Sequence, residues 1–158
     1  MLKTQEKVYK FMKAMELPLP NEDGPGVSGL HFDLMRNLVE EEAQEFIDAM
    51  IFLEQAIQDQ DRERIMTWWA EVIDAICDIN VVIHNASNAM HIDIEPFLDE
   101  VHRSNMAKVG GEVRADGKRL KPKGWKPPNI RGMLEALVSD DPLDDVDTVD
   151  TTLKYQDQ

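Results

Sequence analysis

The chain has 158 residues with 31 acidic groups against 17 basic ones, a formal net charge of −14 that argues against general binding to a nucleic-acid backbone. Apolar residues make up 42% and charged ones 30%, the balance of a soluble globular chain long enough for one domain with a real core. No apolar run is long enough to span a bilayer, "MLKTQEKVYKFMKAM" lacks a signal peptide's apolar core, and the single cysteine, Cys77, excludes a disulfide framework and a Cys-based zinc site, so a cytoplasmic location is expected.

Residues 3–15 place Val8, Phe11, Met12 and Met15 at helical spacing among Lys and Glu, which predicts a first amphipathic helix. "LPLPNEDGPGVSG" breaks it with prolines and glycines. A long helix is predicted over 30–57 and a second over 62–90, after the turn "QDQD". Asp93 suits the cap of a fourth helix, with Glu95 and Pro96 in its first turn and Phe97, Val101 and Met106 along it. From Val109 to Ile130 the chain is rich in Gly, Pro and Lys without helical periodicity, with a turn near Asp116–Gly117. A short helix is predicted near Met133–Val138. The acidic tail beyond it is expected to be disordered or loosely attached. The fold class is all-α, a compact bundle of four to five helices with two long antiparallel ones; the domain is expected over 1–131, with a short helix and tail over 132–158.

The first long helix carries "RNLVEEEAQEF". At about 100° per residue, Leu34, Leu38 and Phe52 edge an apolar arc that Met35, Phe46, Met50 and Leu53 extend. Glu42 and Glu45 fall inside this arc and Glu41 at its margin, while no lysine or arginine occurs between Arg36 and Arg62. A glutamate on a buried stripe is costly unless it is paired or bound to a metal; the bland alternative is a helix rolled enough to solvate it. Glu40 reads as solvated.

The second long helix repeats the situation. Ile65, Trp69, Val72, Ile76, Ile79 and Ile83 form the expected core stripe, and Glu71, Asp74 and Asp78 a narrow acidic stripe opposite it. Like charges at this spacing destabilise each other unless a cation sits between them. Two acidic stripes on neighbouring helices form a pattern that helix bundles use for metal sites, and oxygen-only ligands favour Mg²⁺, with Mn²⁺ as the alternative. Neither stripe shows the Glu-x-x-His spacing of a di-iron site, and His84 and His91 lie off the acidic face.

Nine of the basic residues fall between Arg103 and Arg131, and none between Ile65 and His102. Arg103, Asn105 and Lys108 close a helix; Lys118, Arg119, Lys121, Lys123 and Lys126 follow on a loop. Such groups suit phosphate oxygens, or simply solvent. Trp125 suits stacking on a base or anchoring the loop.

"RNLVEEEAQEF", "EVIDAICDINVV" and "DEVHRSNMAKV…GKRLKPKGWKPPNI" together resemble the all-α nucleoside triphosphate pyrophosphatases, or MazG-like proteins, and within them the phosphoribosyl-ATP pyrophosphatase-like branch of bacteria and phages. The resemblance covers about Val8 to Ile130. It implies a helical protomer assembled as a homodimer or homotetramer, with Mg²⁺ at the acidic cluster and hydrolysis between the α- and β-phosphates. Glu41, Glu42 and Glu45 match the family's EExxE motif. Glu71-x-x-Asp74 fits its second motif by spacing, while Asp78 precedes the "INVV" run, so the second helix offers either Glu71/Asp74 or Asp74/Asp78. Asn105, Lys108 and Lys121 match phosphate-side positions.

The expected chemistry is metal-assisted phosphoanhydride hydrolysis, with Glu41 or Glu42 as general base and lysines of the 103–126 segment on the leaving pyrophosphate. A deoxynucleotide such as dUTP or dCTP suits nucleotide-pool control; phosphoribosyl-ATP in histidine synthesis is the alternative substrate. A non-enzymatic helical protein whose acidic stripe binds a basic partner is the rival class, and an interaction role for the acidic tail is a third reading. Neither nucleic acid nor membrane is expected as a partner.

Overall fold

The computed structural model describes residues 1–138; the expected acidic tail lies outside them. The order is α1 (Lys3–Ala14), α2 (Phe32–Gln58), α3 (Arg62–Ala89), α4 (Glu95–Met106) and α5 (Ile130–Val138). Among the described residues the only β pairing is an isolated bridge between Val113 and Arg119, so the class is all-α. The chain divides into two compact units, 1–94 and 95 onward.

In the first unit, α2 and α3 pack along their length and α1 packs on α3. The turn at 59–61 sends the chain back: Gln60 takes a left-handed φ of 55°, and the Asp61 carboxylate caps α3 by accepting from the Glu63 and Arg64 backbone N–H groups at 3.1 Å. The seam of α2 runs through Met35, Leu38, Glu42, Phe46, Ala49, Leu53 and Ala56. That of α3 runs through Ile65, Trp68, Val72, Ala75, Ile79 and Val82. Steps of three and four residues give this pattern, and Trp68 stacks on Phe52 with ring centroids 4.5 Å apart.

This seam corrects the expected core. Trp69 (54% exposed), Ile76 and Ile83 lie outside it, as do Leu34 and Met50 on α2 and Phe11 and Met15 on α1, while Phe52, though exposed, covers the seam's edge by stacking on Trp68. Glu45, expected in the buried arc, is exposed. The reason is steric: Ala49, Ala56, Ala75 and Ala89, all nearly inaccessible, let the helix backbones approach, and bulkier residues on the seam would hold them apart. The acidic stripe is corrected too, because Asp78 is half-buried beside the seam residue Ile79 instead of standing opposite the core.

A buried amide pair fixes α1. Gln5, fully inaccessible, donates from Nε2 to Asn88 Oδ1 at 3.1 Å and to the Ile92 carbonyl at 2.6 Å. Its Oε1 accepts from the Ile94 backbone N–H at 3.2 Å. The 15–31 loop is tied to the end of α3 by Asn21 Nδ2, which donates to the carbonyls of Ser28 and Ala89 at 3.1 and 2.9 Å.

In the second unit, the loop after α4 makes the expected turn at Asp116–Gly117, with the Arg114 N–H donating to the Lys118 carbonyl at 2.8 Å. Gly111 is required there, since a Cβ would stand 2.1 Å from the Leu120 carbonyl oxygen. α5 begins three residues earlier than the expected Met133, at Ile130.

Candidate active site

Glu42 occupies the α2 seam, one turn from Leu38 and one from Phe46, and is half-buried; Glu41 and Glu45 beside it are exposed. Across the seam, Asp78 is half-buried, and Asp74 and Glu71 are exposed. The Glu42 carboxyl is pushed above its ordinary range, first by burial, then by the negative charges of Asp78, Glu45, Glu41 and Asp74. Both causes act by disfavouring the charged form. Glu71 does not figure among the charges acting on Glu42.

Among the described residues, none of the six carboxylates Glu41, Glu42, Glu45, Glu71, Asp74 and Asp78 has an ion pair or hydrogen bond. A field of oxygen-only donors with no counter-charge fits a hard divalent cation. Such an ion needs its oxygens within about 2.0–2.6 Å. Among the described residues no group of three or more acidic, histidine or cysteine side chains is placed to hold a metal ion.

Next along the same seam lies a cavity of about 110 Å³, lined by Met12, Leu17, Leu34, Met35 and Leu38, with Asn85 from α3. Asn85 Oδ1 is buried and accepts no hydrogen bond. Nothing in the charge pattern marks Asn85. The legible signal is its spacing: two turns beyond Asp78 it returns to nearly the same face of α3.

In the second unit, Trp125 donates from Nε1 to the Ser104 carbonyl at 2.8 Å, anchoring the loop to α4. Lys121 Nζ lies 4.1 Å from the indole centroid and Lys108 Nζ 5.5 Å, within cation–π range. Lys108 also donates to Asn105 Oδ1 at 2.7 Å. Arg103 makes a two-point pair with Glu100 at 2.6 and 2.7 Å. That pair, with the Asn129 backbone N–H, holds the Glu100 carboxyl down at about 2. Arg119 donates to the Gly111 carbonyl at 2.9 Å. The ammonium groups of Lys118, Lys123 and Lys126 have no ion pair or hydrogen bond among the described residues.

Compared with known families, residues 8–105 match the model of the family described as phosphoribosyl-ATP pyrophosphohydrolase. The matched segment takes in α2, α3 and nearly all of α4, and stops before the basic loop. No curated protein matches the chain.

Proposed function

Because the chain belongs to the phosphoribosyl-ATP pyrophosphohydrolase family, within the MazG-like all-α pyrophosphatases, we propose that it is a Mg²⁺-dependent enzyme splitting a nucleoside triphosphate between its α- and β-phosphates. The family consists of pyrophosphohydrolases, which cleave phosphoanhydride bonds in nucleotide-like substrates and generally use divalent metal ions. One observation carries the finer reading. Glu42 stands half-buried in a seam among four other carboxylates with no basic partner, a costly arrangement without a bound cation.

Glu42, Glu45, Asp74 and Asp78 are the assigned metal ligands. The Asp74/Asp78 pair is preferred over Glu71/Asp74 because Asp78 is half-buried beside the seam and both aspartates disfavour the charge on Glu42. A divalent ion there supplies charge neutralisation on the phosphates and orientation of water. Glu41, solvent-exposed within the same field, is the assigned general base, with Glu42 as the alternative. Water's proton passes to this carboxylate, its oxygen bonds to phosphorus, and the electron pair of the broken P–O bond leaves with pyrophosphate. In the second unit, Asn105, Lys108, Lys118 and Lys121 carry groups whose chemistry suits phosphate oxygens; Arg103, already held by Glu100, is the least available.

The assembly proposed is a homodimer or homotetramer, with α3's outer face as the contact. Met66, Trp69, Ile73, Ile76 and Ile83 are all exposed there, an apolar strip about 25 Å long. Ile73→Asp should lower the mass measured by light scattering. Among the described residues no helix is long and apolar enough to cross a membrane; a cytoplasmic location remains part of the proposal.

The test is pyrophosphate release from a panel of ribo- and deoxynucleoside triphosphates that also includes phosphoribosyl-ATP, the substrate named by the family. Activity should require Mg²⁺, disappear in chelator, and fall strongly in Glu42→Gln and Asp78→Asn. Unchanged hydrolysis in both variants would remove these residues from the site. Metal-indifferent, salt-sensitive binding of a basic protein with no hydrolysis would favour the non-enzymatic reading.

A further inference from the structure

The basic residues of the second unit outnumber the carboxylates within reach of them. Residues 108–126 hold seven basic groups against Glu112 and Asp116, a net charge of +5 within a chain of −14. Arg114 pairs with Asp116, and Arg119 donates to the Gly111 carbonyl. Lys108, Lys118, Lys121, Lys123 and Lys126 have no carboxylate partner among the described residues. The backbone that carries them is held in place. Ser104 Oγ donates to the Lys126 carbonyl at 3.2 Å, the Trp125 N–H to the Pro122 carbonyl at 3.1 Å and the Leu120 N–H to the Glu112 carbonyl at 2.7 Å. Lys108 and Lys121 face the same indole ring. Like charges fixed on one loop repel one another unless an anion lies among them.

We infer that this loop docks the acidic segment 140–150 of the same chain, "DDPLDDVDTVD", as its internal counter-ion. Charge complementarity is the first argument: the segment has six aspartates and no basic residue, against the +5 of the loop. Reach is the second. Lys126 lies three residues before Asn129, whose backbone N–H is tied to Glu100 at 2.8 Å. The nine residues of α5 follow, a helix about 14 Å long. Lys126 therefore stands within about 25 Å of Val138, whereas residues 139–150 span about 40 Å when extended. So short a tether gives the two charged segments an effective concentration in the millimolar range. The exposed apolar face of α3 is a poorer partner, because Glu71 and Asp74 on the same helix repel aspartates and the segment offers only Leu143, Val146 and Val149 to it.

This contact needs neither nucleotide nor metal and does not depend on the proposed hydrolysis. Its consequence is competition. A polyanion reaching the lysines has to displace the segment, so the tail weakens the loop's affinity for phosphate chains, and salt loosens the tail in turn.

The test compares the full chain with a full-length variant in which Asp140, Asp141, Asp144, Asp145, Asp147 and Asp150 are changed to Asn. Acetylation by an activated ester, read by mass spectrometry, sets the loop lysines against Lys3 and Lys7 of the same molecule. Lys118, Lys121, Lys123 and Lys126 should react about fivefold more slowly in the wild type than in the variant, the value for a free fraction of about one fifth. Salt at about 1 M should erase the difference. Carbodiimide should couple these lysines to aspartates of 140–150, and in a mixture of labelled and unlabelled chains the links should fall within one chain. By calorimetry without metal, inorganic tripolyphosphate should bind the variant about fivefold more tightly than the wild type. A control that neutralises Glu16, Asp23, Glu40, Asp48, Glu54 and Glu63 of the first unit makes the same change in net charge and should tighten binding by less than about twofold, since distant charges are screened. Equal acetylation in wild type and variant, links only between chains, or a tripolyphosphate affinity no tighter in the variant than in this control would each overturn the inference.

Discussion

Replacing Glu42 by Gln keeps the shape of the side chain and removes one negative charge from the seam. Four carboxylates act on that charge, and burial opposes it further. The repulsion from Glu45, one turn along α2, is worth about 0.2–0.5 kcal/mol. Asp78 and Asp74 act on the same charge across the seam, and with water-like screening each repulsion is on the order of 0.5 kcal/mol. Together these predict that Glu42→Gln stabilises the metal-free protein by about 1 kcal/mol, or about 3 °C in melting temperature for a chain of this size. Mg²⁺ should invert the order. At a concentration about 100-fold above its dissociation constant, a bound ion stabilises the wild type by about 2.7 kcal/mol. The variant, short of a ligand, gains much less. The assay is a pair of thermal melts in chelator and in Mg²⁺ for both proteins, beside pyrophosphate release. A variant that melts below wild type in chelator would mean that the Glu42 carboxylate has a favourable partner. Equal Mg²⁺ stabilisation of both would take Glu42 out of the metal site.

His84 is buried with Nδ1 unpartnered, and burial holds its pKa below the ordinary 6.5. Its contribution is complete above 6.5; as pH falls from there toward the lower folded value the unfolded chain takes up the proton first, so stability declines. Urea midpoints across that window should show a shallower decline in His84→Leu, and an unchanged slope would count against the assignment. Gln5→Ala removes the Gln5 amide and leaves Asn88 Oδ1, the Ile92 carbonyl and the Ile94 N–H without it, so a loss of about 3 kcal/mol is expected in denaturant unfolding, whereas a loss under about 1 kcal/mol would mean that water or a neighbour replaces the amide. Gln60→Gly relieves a left-handed backbone and should raise stability by about 0.5–1 kcal/mol, read as a higher urea midpoint with unchanged slope.

The helices were legible because their apolar residues recur at helical spacing between strong breakers, and the turn at Asp116–Gly117 was legible from its residues. What period alone does not select is the face. α3 is apolar almost all round, so a stripe through Trp69, Ile76 and Ile83 and a stripe through Trp68, Ala75 and Val82 fit the sequence equally well. Choosing by size favours the isoleucines. Packing favours the alanines, because interhelical distance is set by the smallest residues that can face each other. The Gln5–Asn88 clamp escaped for a related reason: amides ordinarily face solvent, and only the docking of α1 on α3 brings these two together.

The same rotation of α3 that hides small residues also turns Asp78 toward Glu42 and leaves Trp69, Ile73 and Ile76 outside. Charge within the seam and apolar surface beyond it are therefore one choice. A helix packed by its isoleucines would leave the second acidic stripe in solvent, out of reach of the first. By packing through alanines the chain brings carboxylates of two helices into one field. Its bulkiest apolar face is left for the second copy we propose, so the stability withheld from the protomer becomes available to the assembly.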